Sequence, residues 1–331
     1  MTTKPPTPEY IFRGHNGEVN SLTLAKNDQY LLSSDQNGII FVWDMKDKRS
    51  IFKWQAHSGA ILYIWATDDI IISQGREGLL KIWDFTLMLQ GESTDPKFQH
   101  LVESLHFCKF SSVSFRSKVM IAYPKDRDTV VISEALSGLP LYTVKCDELG
   151  IGACMSLKLF VSKEQLMLLC GYESGKTSLW AINDSKANMI WLANNHVEPV
   201  LSMDVNDEAT AGISAGADNN LVLFDVNQND HRVIRSTQIK HHGVSDVKFR
   251  SDSRIIATAG WDSKIRVFSV KTLKPLAILN FHRASIYTIG FTQVDDNQAS
   301  ERDESGLIID KPKNYLAAGS KDGRISLWQI Y

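Results

Sequence analysis

The sequence has little cysteine and no long apolar run, and each shortage excludes a class of protein. Four of the 331 residues are cysteine, with no CxxC spacing, so the sequence indicates neither a zinc site nor a disulfide framework. No stretch approaches the roughly 18 apolar residues of a membrane span, and the proline-rich start, MTTKPPTPEY, lacks the apolar segment of a signal peptide. We expect a soluble, intracellular protein whose free cysteines are buried: Cys108, Cys146, Cys154 and Cys170.

An excess of either charge is also missing. The 36 Lys and Arg residues nearly balance the 38 Asp and Glu residues, and no basic block is longer than KDKR at 46–49. We therefore expect no direct binding to nucleic acid or to a membrane. HExxH, GxSxG and paired CxxC motifs are absent as well, so we expect no metal, no cofactor and no catalytic residues.

A repeated pattern is present along the whole chain. A small residue opens each copy, a polar turn follows, and an alternating apolar run ends in an aromatic residue, often followed by Asp. Period-two alternation around a turn is typical of two paired strands. The copies are SSDQNGIIFVWD (33–44), SQGREGLLKIWD (73–84), CGYESGKTSLWA (170–181), SAGADNNLVLFD (214–225), TAGWDSKIRVFS (258–269) and AGSKDGRISLWQ (318–329), with a degenerate copy, YPKDRDTVVISE (123–134).

The spacing of the aromatic residues predicts the fold. Successive copies end 40 to 60 residues apart, and seven copies account for the chain. WD-type propeller repeats run to about 40–45 residues. The sequence therefore predicts an all-β, seven-bladed WD-repeat β-propeller that forms a single domain over residues 1–331.

A buried polar network is predicted in several blades. A His upstream of the copy, a Ser or Thr, an acid in the turn and the indole N–H can form one hydrogen-bonded chain that fixes strand register. The candidates are His15, Ser33, Asn37 and Trp43; His57, Ser73, Glu77 and Trp83; His196 and Asp218; His241 or His242 with Thr258 and Asp262; and His282 and Asp322 with Trp328.

Some of these networks should be incomplete. Phe224 and Phe268 lack the indole donor and Ala318 lacks a hydroxyl, so we expect the fifth, sixth and seventh to be unfinished, while the third and fourth units have no His. Because the Ser, His and acid grouping recurs from blade to blade, we interpret it as scaffolding and not as a catalytic triad.

The two ends of the chain are predicted to pair. The last unit stops after its third strand, and EYIFR at 9–13 alternates suitably to supply the fourth, which would close the ring. Residues 1–8 are expected to be flexible, and the polar insertion 292–314 in the seventh unit is expected to be a mobile loop.

The ending of CGYESGKTSLWA resembles a phosphate-binding loop. A P-loop needs GxxxxGK[ST] and a following helix, but Cys170 stands where the first Gly is required and an alternating strand pattern follows Lys176. Gly175 lies five residues before Trp180, as Gly38 lies before Trp43. We interpret Gly175 as the turn glycine of blade four.

Four segments resemble one family more closely than a general WD repeat would. They are ATAGWDSKIRVFSVKTLKPLAILNFHRASIYTIGF (257–291), LAAGSKDGRISLWQIY (316–331), QAHSGAI (55–61) and GREGLLKIWD (75–84). They resemble the ASTRA-associated protein 1 family of fungi, whose animal relative is called guanine nucleotide-binding protein β-subunit-like protein 1. The resemblance implies a non-enzymatic nuclear scaffold and chromatin regulator in the ASTRA assembly. The implied partners are co-chaperone subunits that mature phosphatidylinositol-3-kinase-like kinases, RuvB-like ATPases and a large pseudokinase.

Other functions are compatible with a WD-repeat ring. A ubiquitin-ligase or signalling adaptor is the main alternative, and a WD-repeat esterase is a third. A true G-protein β subunit, with a γ subunit as partner, is not expected, because the roughly ten residues before the first strand are too few and too proline-rich for its N-terminal helix.

Partner contacts are predicted on the narrower face of the ring. In propellers this face is lined by residues near the first apolar position after the His and by the residue before the turn acid. Apolar or aromatic side chains at such exposed places are the type that carries interface energy. The predicted partner-binding residues are Leu62, Arg76, Leu201, Trp261, Tyr287 and Lys321, from a wider set that adds Glu18, Asn20, Ala60, Pro199 and Ser245.

Overall fold

A computed structural model describes residues 6–102, 107–183, 186–227, 230–294 and 314–330. These residues form seven four-stranded antiparallel sheets arranged as the blades of a propeller, which confirms the predicted fold class. The alternating apolar runs bury one set of side chains against each neighbouring blade, so every strand pattern has a partner surface.

The first four blades follow one another along the chain. Blade 1 contains β2 (Val19–Ala25), β3 (Tyr30–Asp35), β4 (Ile39–Asp44) and β5 (Arg49–Gln55). Blade 2 contains β6 (Ile61–Ala66), β7 (Ile70–Gly75), β8 (Leu79–Asp84) and β9 (Phe98–Leu101), with a short helix α1 (Phe85–Leu89) before β9. Blade 3 contains β10 (Ser111–Phe115), β11 (Lys118–Pro124), β12 (Thr129–Glu134) and β13 (Pro140–Lys145), and blade 4 contains β14 (Cys154–Ser162), β15 (Gln165–Tyr172), β16 (Lys176–Ile182) and β17 (Ala187–Asn194).

The last three blades complete the ring. Blade 5 contains β18 (Val200–Val205), β19 (Ala211–Gly216), β20 (Asn220–Asp225) and β21 (Arg232–Gln238), and blade 6 contains β22 (Val244–Phe249), β23 (Ile255–Gly260), β24 (Lys264–Ser269) and β25 (Pro275–Asn280). Blade 7 contains β26 (Ile286–Phe291), β27 (Tyr315–Ser320), β28 (Arg324–Gln329) and β1 (Tyr10–Arg13).

Pairing of the chain ends closes blade 7, as predicted. Strand β1 runs antiparallel to β28, with Tyr10 opposite Leu327 and Arg13 opposite Arg324. Phe12 is 1% exposed, and its ring centroid lies 5.3 Å from that of Trp43 in blade 1. The N-terminal strand therefore joins the first blade to the last.

The hydrophobic core lies between blades. Apolar side chains of blade 1, such as Trp54, pack in one cluster with those of blade 2, such as Trp83, and the two indoles meet edge to face at 5.6 Å. The four cysteines are all buried and free, as predicted, in the cluster between blades 3 and 4. Burial raises the pKa of the Cys170 thiol well above its usual value, so it is held as an unreactive thiol.

The first strand of each sequence unit is the inner strand of its blade and lies next to the inner strands of other blades. In six blades the pairing of the inner strand shifts by one residue near its start, which leaves one residue unpaired. Such a bulge redirects the side chain of the extra residue. The six bulge residues are Asn20, Leu62, Met155, Leu201, Ser245 and Tyr287.

The residue after the bulge links its blade to the next one. The backbone N–H of Ile64 in blade 2 donates to Ser21 Oγ in blade 1, at 3.1 Å. Related bonds run from Leu159 N–H to Ser111 Oγ (2.8 Å), from Val247 N–H to Ser202 Oγ (3.1 Å), from Ile289 N–H to Asp246 Oδ2 (3.1 Å) and from Leu22 N–H to Thr288 Oγ1 (3.2 Å). We call these bonds the inter-blade links.

The junctions between blades 4 and 5 and between blades 2 and 3 are also joined by hydrogen bonds, with other partners. Ser156 Oγ in blade 4 donates to the carbonyl oxygen of Val200 in blade 5, at 2.8 Å. Between blades 2 and 3, the amide oxygen of Gln74 accepts from Phe110 N–H at 2.9 Å, and the Tyr63 ring meets the Phe110 ring edge to face at 5.1 Å. Every neighbouring pair of blades is therefore joined near the axis.

Some sequence predictions fall outside the described residues. Positions 1–5 of the predicted flexible start and 295–313 of the predicted mobile insertion are among them. At the edge of the insertion, Val294 N–H donates to Ser251 Oγ at 2.9 Å. Within the ranges given above, no helix has the length and apolar character needed to cross a membrane.

Removal of β1 should destabilise the whole ring. Deleting residues 1–13 removes the β28 pairing and leaves the site of Phe12 empty, and loss of a buried Phe side chain alone costs about 3–5 kcal/mol. We expect the melting temperature in thermal denaturation to fall by several degrees or more. Deleting residues 1–7 keeps β1 and is the control; equal melting temperatures for the two truncations would contradict the closure.

Candidate functional site

Blade 1 contains a complete polar network, with one change from the prediction. His15 Nε2 lies 2.7 Å from Ser33 Oγ, and the indole N–H of Trp43 donates to the same hydroxyl at 2.7 Å. The acid is Asp35, whose Oδ2 lies 2.8 Å from His15 Nδ1. The prediction that Asn37 would be this partner was wrong, because the acid lies at the end of β3 and not in the turn. The backbone N–H of Asn37 donates to Asp35 Oδ1.

Blade 2 brings its four candidate residues together. His57 Nδ1 lies 2.6 Å from Glu77 Oε1, and His57 Nε2 lies 2.7 Å from Ser73 Oγ, to which the Trp83 indole N–H donates at 2.9 Å. Burial lowers the pKa of His57 although Glu77 acts in the opposite direction. The imidazole is therefore a neutral bridge between a hydroxyl and a carboxylate.

Blade 5 has the His and its acid but no indole. His196 Nδ1 lies 2.9 Å from Asp218 Oδ1, and His196 Nε2 lies 2.9 Å from Ser214 Oγ. Burial alone would raise the pKa of Asp218, but the bonds from His196 and from the backbone outweigh it and lower that pKa to about 2. With Phe224 in the place of the indole, this network is incomplete.

Blade 7 completes its network by an unpredicted route. His282 Nδ1 lies 3.0 Å from Asp322 Oδ2, and His282 Nε2 lies 2.8 Å from Ser326 Oγ. The indole N–H of Trp328 donates to the same hydroxyl at 2.8 Å. The expectation that Ala318 would leave this network unfinished was wrong. Ser326 stands directly opposite Ala318 in the β27–β28 pair, so a hydroxyl on the third strand reaches the place of one on the second.

Blade 6 replaces the His by an arginine. The guanidinium of Arg266 donates to both carboxylate oxygens of Asp262, at 3.0 and 2.5 Å. The predicted hydrogen bond from a His was wrong: His241 and His242 are both exposed, and His241 acts on Asp262 only through its charge. Thr258 faces Arg266 across the strand pair, but its buried hydroxyl has no hydrogen-bond partner among the described residues. An ion pair thus holds the turn that a His holds in blades 1, 2, 5 and 7.

The P-loop-like segment forms part of blade 4. Gly175 has a φ of +82°, and a Cβ there would lie 2.2 Å from the carbonyl oxygen of His196, so only glycine fits the turn. Lys176 begins strand β16, and its ammonium pairs with Glu148 at 2.7 Å. Here Trp180 N–H donates to Ser178 Oγ at 2.7 Å, and Tyr172 takes the place of the His, with its hydroxyl 3.0 Å from the same oxygen.

The blade networks are buried, so they hold the fold and do not form an open site. Ser33, Ser73, Ser214 and Ser326 are each fully buried, and a nucleophile needs access to its substrate. Among the residues that the structure describes, no group of three or more His, Cys, Asp or Glu side chains is placed to hold a metal ion. The functional site must be sought on the surface.

A cavity of about 490 Å³ lies on the axis of the ring. The redirected side chains of the bulge residues converge on it, and so do residues of the turns between second and third strands. Five predicted partner-binding residues line this one cavity: Leu62, Arg76, Leu201, Trp261 and Tyr287. The sixth, Lys321, is placed beside it, with its ammonium 3.4 Å from Glu18 Oε1 on the wall.

Trp261 is the largest exposed apolar group among these residues. Its side chain is fixed, because the indole N–H donates to Ser245 Oγ at 2.9 Å and the ring lies against Gly243, where a Cβ would clash with it. The residue is nevertheless 45% exposed. A fixed and half-exposed indole loses little conformational entropy on binding, which suits a contact with a partner.

Charged groups line the wall of the cavity more deeply. Lys158 Nζ pairs with Asp204 Oδ1 at 2.6 Å, and Lys248 Nζ lies 3.8 Å from Asp246 Oδ1. Burial disfavours the charged form of Lys248, but Asp246 and Asp204 outweigh it and raise its pKa above the usual value. Lys109 is a third ammonium on this wall, and burial lowers its pKa.

These charged residues were missed by sequence reasoning, although a signal exists. On β14, β18 and β22 the residue two places after the inter-blade linking residue is charged: Lys158, Asp204 and Lys248. A charge at that place of an inner strand points to the axis, where an apolar or small side chain would otherwise be expected. The register shift that defines the place cannot be read from a single sequence.

Comparison with known proteins supports the same architecture. The family model "WD domain, G-beta repeat" matches residues 6–44 and 233–269. The mouse protein named guanine nucleotide-binding protein subunit beta-like protein 1 is 32% identical, over 99% of this chain and 97% of its own length. ASTRA-associated protein 1 of Aspergillus flavus is 30% identical over 99% and 98%, and that of Schizosaccharomyces pombe is 29% identical over 98% and 99%.

Replacement of Ser326 by Ala should destabilise the protein although the change is small. Ser326→Ala leaves the buried ring nitrogen of His282 and the indole N–H of Trp328 without a partner, which costs about 1–3 kcal/mol. Chemical denaturation measures the loss. Ser34→Ala is the control, because Ser34 is equally buried but its hydroxyl has no hydrogen-bond partner in the described part of the chain. Equal effects of the two substitutions would refute the blade 7 network.

The Asp218 carboxylate should make stability depend on acidity. Its folded-state pKa, about 2, lies below the usual 3.8, so its contribution is fully present above pH 4 and is lost as the pH falls toward 2. The shift corresponds to roughly 2 kcal/mol. In urea titrations, Asp218→Asn should be less stable than the wild type at pH 6, and the difference should shrink between about pH 4 and 2. A difference independent of pH would contradict the ionised state of Asp218.

Proposed function

We propose that this chain, which belongs to the ASTRA-associated protein 1 family of WD-repeat proteins, is a non-catalytic scaffold subunit of the ASTRA complex. In this role it would take part in chromatin remodelling and in the co-chaperone assembly of phosphatidylinositol-3-kinase-like kinases. One observation carries the proposal: similarity to proteins named ASTRA-associated protein 1 extends over nearly the whole chain and nearly the whole of each relative.

A binding role agrees with the geometry of the ring. The Ser, His and acid groups that could resemble catalytic residues are buried inside blades, whereas the cavity is open and is lined by apolar, aromatic and charged side chains. Propellers offer such an axial cavity as a rigid docking surface. We therefore propose that the protein acts by binding and that ATP hydrolysis in the assembly belongs to other subunits.

The proposed partners are proteins of one assembly. They are kinase-maturation co-chaperone subunits, RuvB-like ATPases and a large pseudokinase. The proposed location is the nucleus, with a second pool in the cytoplasm. Leu62, Leu201, Trp261 and Tyr287 would supply the apolar contacts of the docking surface, with Arg76 and Lys321 at its edge. Aromatic and apolar anchors of this kind are often worth about 2 kcal/mol or more each.

Affinity purification of the tagged full-length protein with mass spectrometry tests this function. Leu201→Glu and Trp261→Glu should each reduce the recovery of RuvB-like ATPases and co-chaperone subunits about tenfold or more, because a charge is placed where apolar contact is required. Both variants should keep a melting temperature within a few degrees of the wild type.

Ile278→Glu is the matched control for these variants. Ile278 is as exposed as Trp261 but lies on the outer strand of blade 6, away from the cavity, so this variant should retain the partners. Undisturbed recovery with Leu201→Glu and Trp261→Glu would overturn the docking surface. Cullin subunits in place of RuvB-like ATPases would overturn the proposed assembly in favour of a ubiquitin-ligase adaptor, and esterase turnover would favour an enzyme.

A further inference from the structure

Positive charge exceeds negative charge on the wall of the axial cavity. The cations there are Arg76, Lys109, Lys158 and Lys248, and the lining carboxylates are Glu18 and Asp246, with Asp204 directly behind them. Each carboxylate already has a cation: Glu18 has Lys321, Asp204 has Lys158 and Asp246 has Lys248. Arg76 and Lys109 form no close ion pair with a carboxylate within the described ranges, although Asp246 acts on Lys109 at longer range.

The wall carboxylates are also committed to the fold. Asp204 Oδ2 accepts the backbone N–H of Phe249 at 2.9 Å, and Asp246 accepts from Ser202 Oγ and from Ile289 N–H, both at 3.1 Å. These bonds join blades 5, 6 and 7, so neither carboxylate is free to turn toward Lys109. The surplus positive charge is therefore fixed by the architecture.

Lys109 and Arg76 are both positioned by aromatic rings. Lys109 Nζ lies 5.8 Å from the centroid of Tyr63, and the Arg76 guanidinium lies 5.0 Å from the centroid of Phe107, which is itself exposed. Arg76 is exposed in the turn before β8, and Lys109 is partly buried just before β10. A group that enters the cavity beside blades 2 and 3 can thus meet both cations.

We propose that the axial cavity binds an acidic segment of a protein partner, with a carboxylate of that segment on Lys109 and Arg76 and its apolar side chains on Leu62, Leu201 and Trp261. This inference rests on the proposed scaffold function, since it names the chemistry that the docking surface selects. A carboxylate is the complement of an unpaired ammonium and guanidinium, and such charge-assisted bonds are the strong ones. The lowered pKa of Lys109 fits a site that gains from an incoming anion.

The size and charge of the surroundings favour a peptide over other anions. A cavity of about 490 Å³ accommodates a few side chains, so an extended segment or a loop tip fits where a folded domain does not. Its apolar wall leaves contacts that a free phosphate would not use. Nucleic acid needs a long basic track to follow its phosphates, and two unpaired cations in a chain of net charge −2 do not provide one.

Two capped, fluorescein-labelled peptides of equal length test the inference with the full-length protein. One alternates leucine with aspartate, and the other alternates leucine with asparagine. In fluorescence anisotropy the aspartate peptide should bind about tenfold or more tightly than the asparagine peptide, and added salt should weaken it. Equal binding of the two peptides would overturn the proposal, as would the absence of binding by the aspartate peptide.

Variants assign the effect to the two cations. Lys109→Gln and Arg76→Gln should each lower the affinity for the aspartate peptide about tenfold and leave the affinity for the asparagine peptide unchanged. Lys109→Arg should retain most of the affinity for the aspartate peptide. Lys53→Gln is the matched control, because Lys53 also lies over an aromatic ring, 5.5 Å from the centroid of Phe41, but does not line the cavity. Unchanged binding in Lys109→Gln and Arg76→Gln would refute the site.

The two proposals fail in different ways. If the aspartate peptide binds through Lys109 but the purified assembly lacks RuvB-like ATPases, the acidic-segment site stands and the proposed complex falls. If Trp261→Glu releases the assembly whereas Lys109→Gln changes neither recovery nor peptide binding, the scaffold function stands and the acidic-segment site falls.

Discussion

The hydrogen bonds between neighbouring inner strands are the constraint on which the ring depends. A bulge near the start of six inner strands redirects one residue toward the axis and leaves the next residue facing the adjacent blade. In five of the six that next residue bonds to backbone of the adjacent blade, and in β6 it is Tyr63, which packs on Phe110. The same local irregularity therefore joins blade to blade and shapes the cavity. Since these bonds are short and buried, the blades cannot shift without exposing unpaired backbone groups. The cavity is a rigid one for this reason.

In the six blades that have one, the polar network occupies a similar place but is built from different residues. The hydroxyl comes from the second strand in Ser33 and from the third in Ser326, and an Arg–Asp pair replaces the His in blade 6. The blade is stabilised wherever a hydrogen-bond donor and an acceptor meet between its two central strands and the turn that joins them. Several side-chain combinations satisfy that requirement, which explains how the repeats diverge while the blade stays the same.

The fold could be predicted from sequence because alternation, turn glycines and terminal aromatic residues are local signals. Five cavity residues were found the same way, since Leu62 and Trp261 hold fixed places in their repeats. Ala318 misled because the sequence does not reveal which of two facing strands provides the hydroxyl, and Asn37 misled because the sequence does not reveal whether the acid lies in the turn or at the end of the strand before it. The Lys109, Asp204 and Asp246 charges were missed because their convergence depends on closing seven blades around one axis, a property of the whole ring.

Closure by β1 also has a consequence for synthesis. Tyr10 pairs with Leu327, so strand β1 is synthesised long before β28. The backbone N–H and C=O groups of β1 have no strand partner until β28 has been made. During that interval Phe12 and the open edge of blade 7 are exposed to other chains, a condition that favours aggregation. A ring that closes in this way is protected from such contacts only when its last strands are complete.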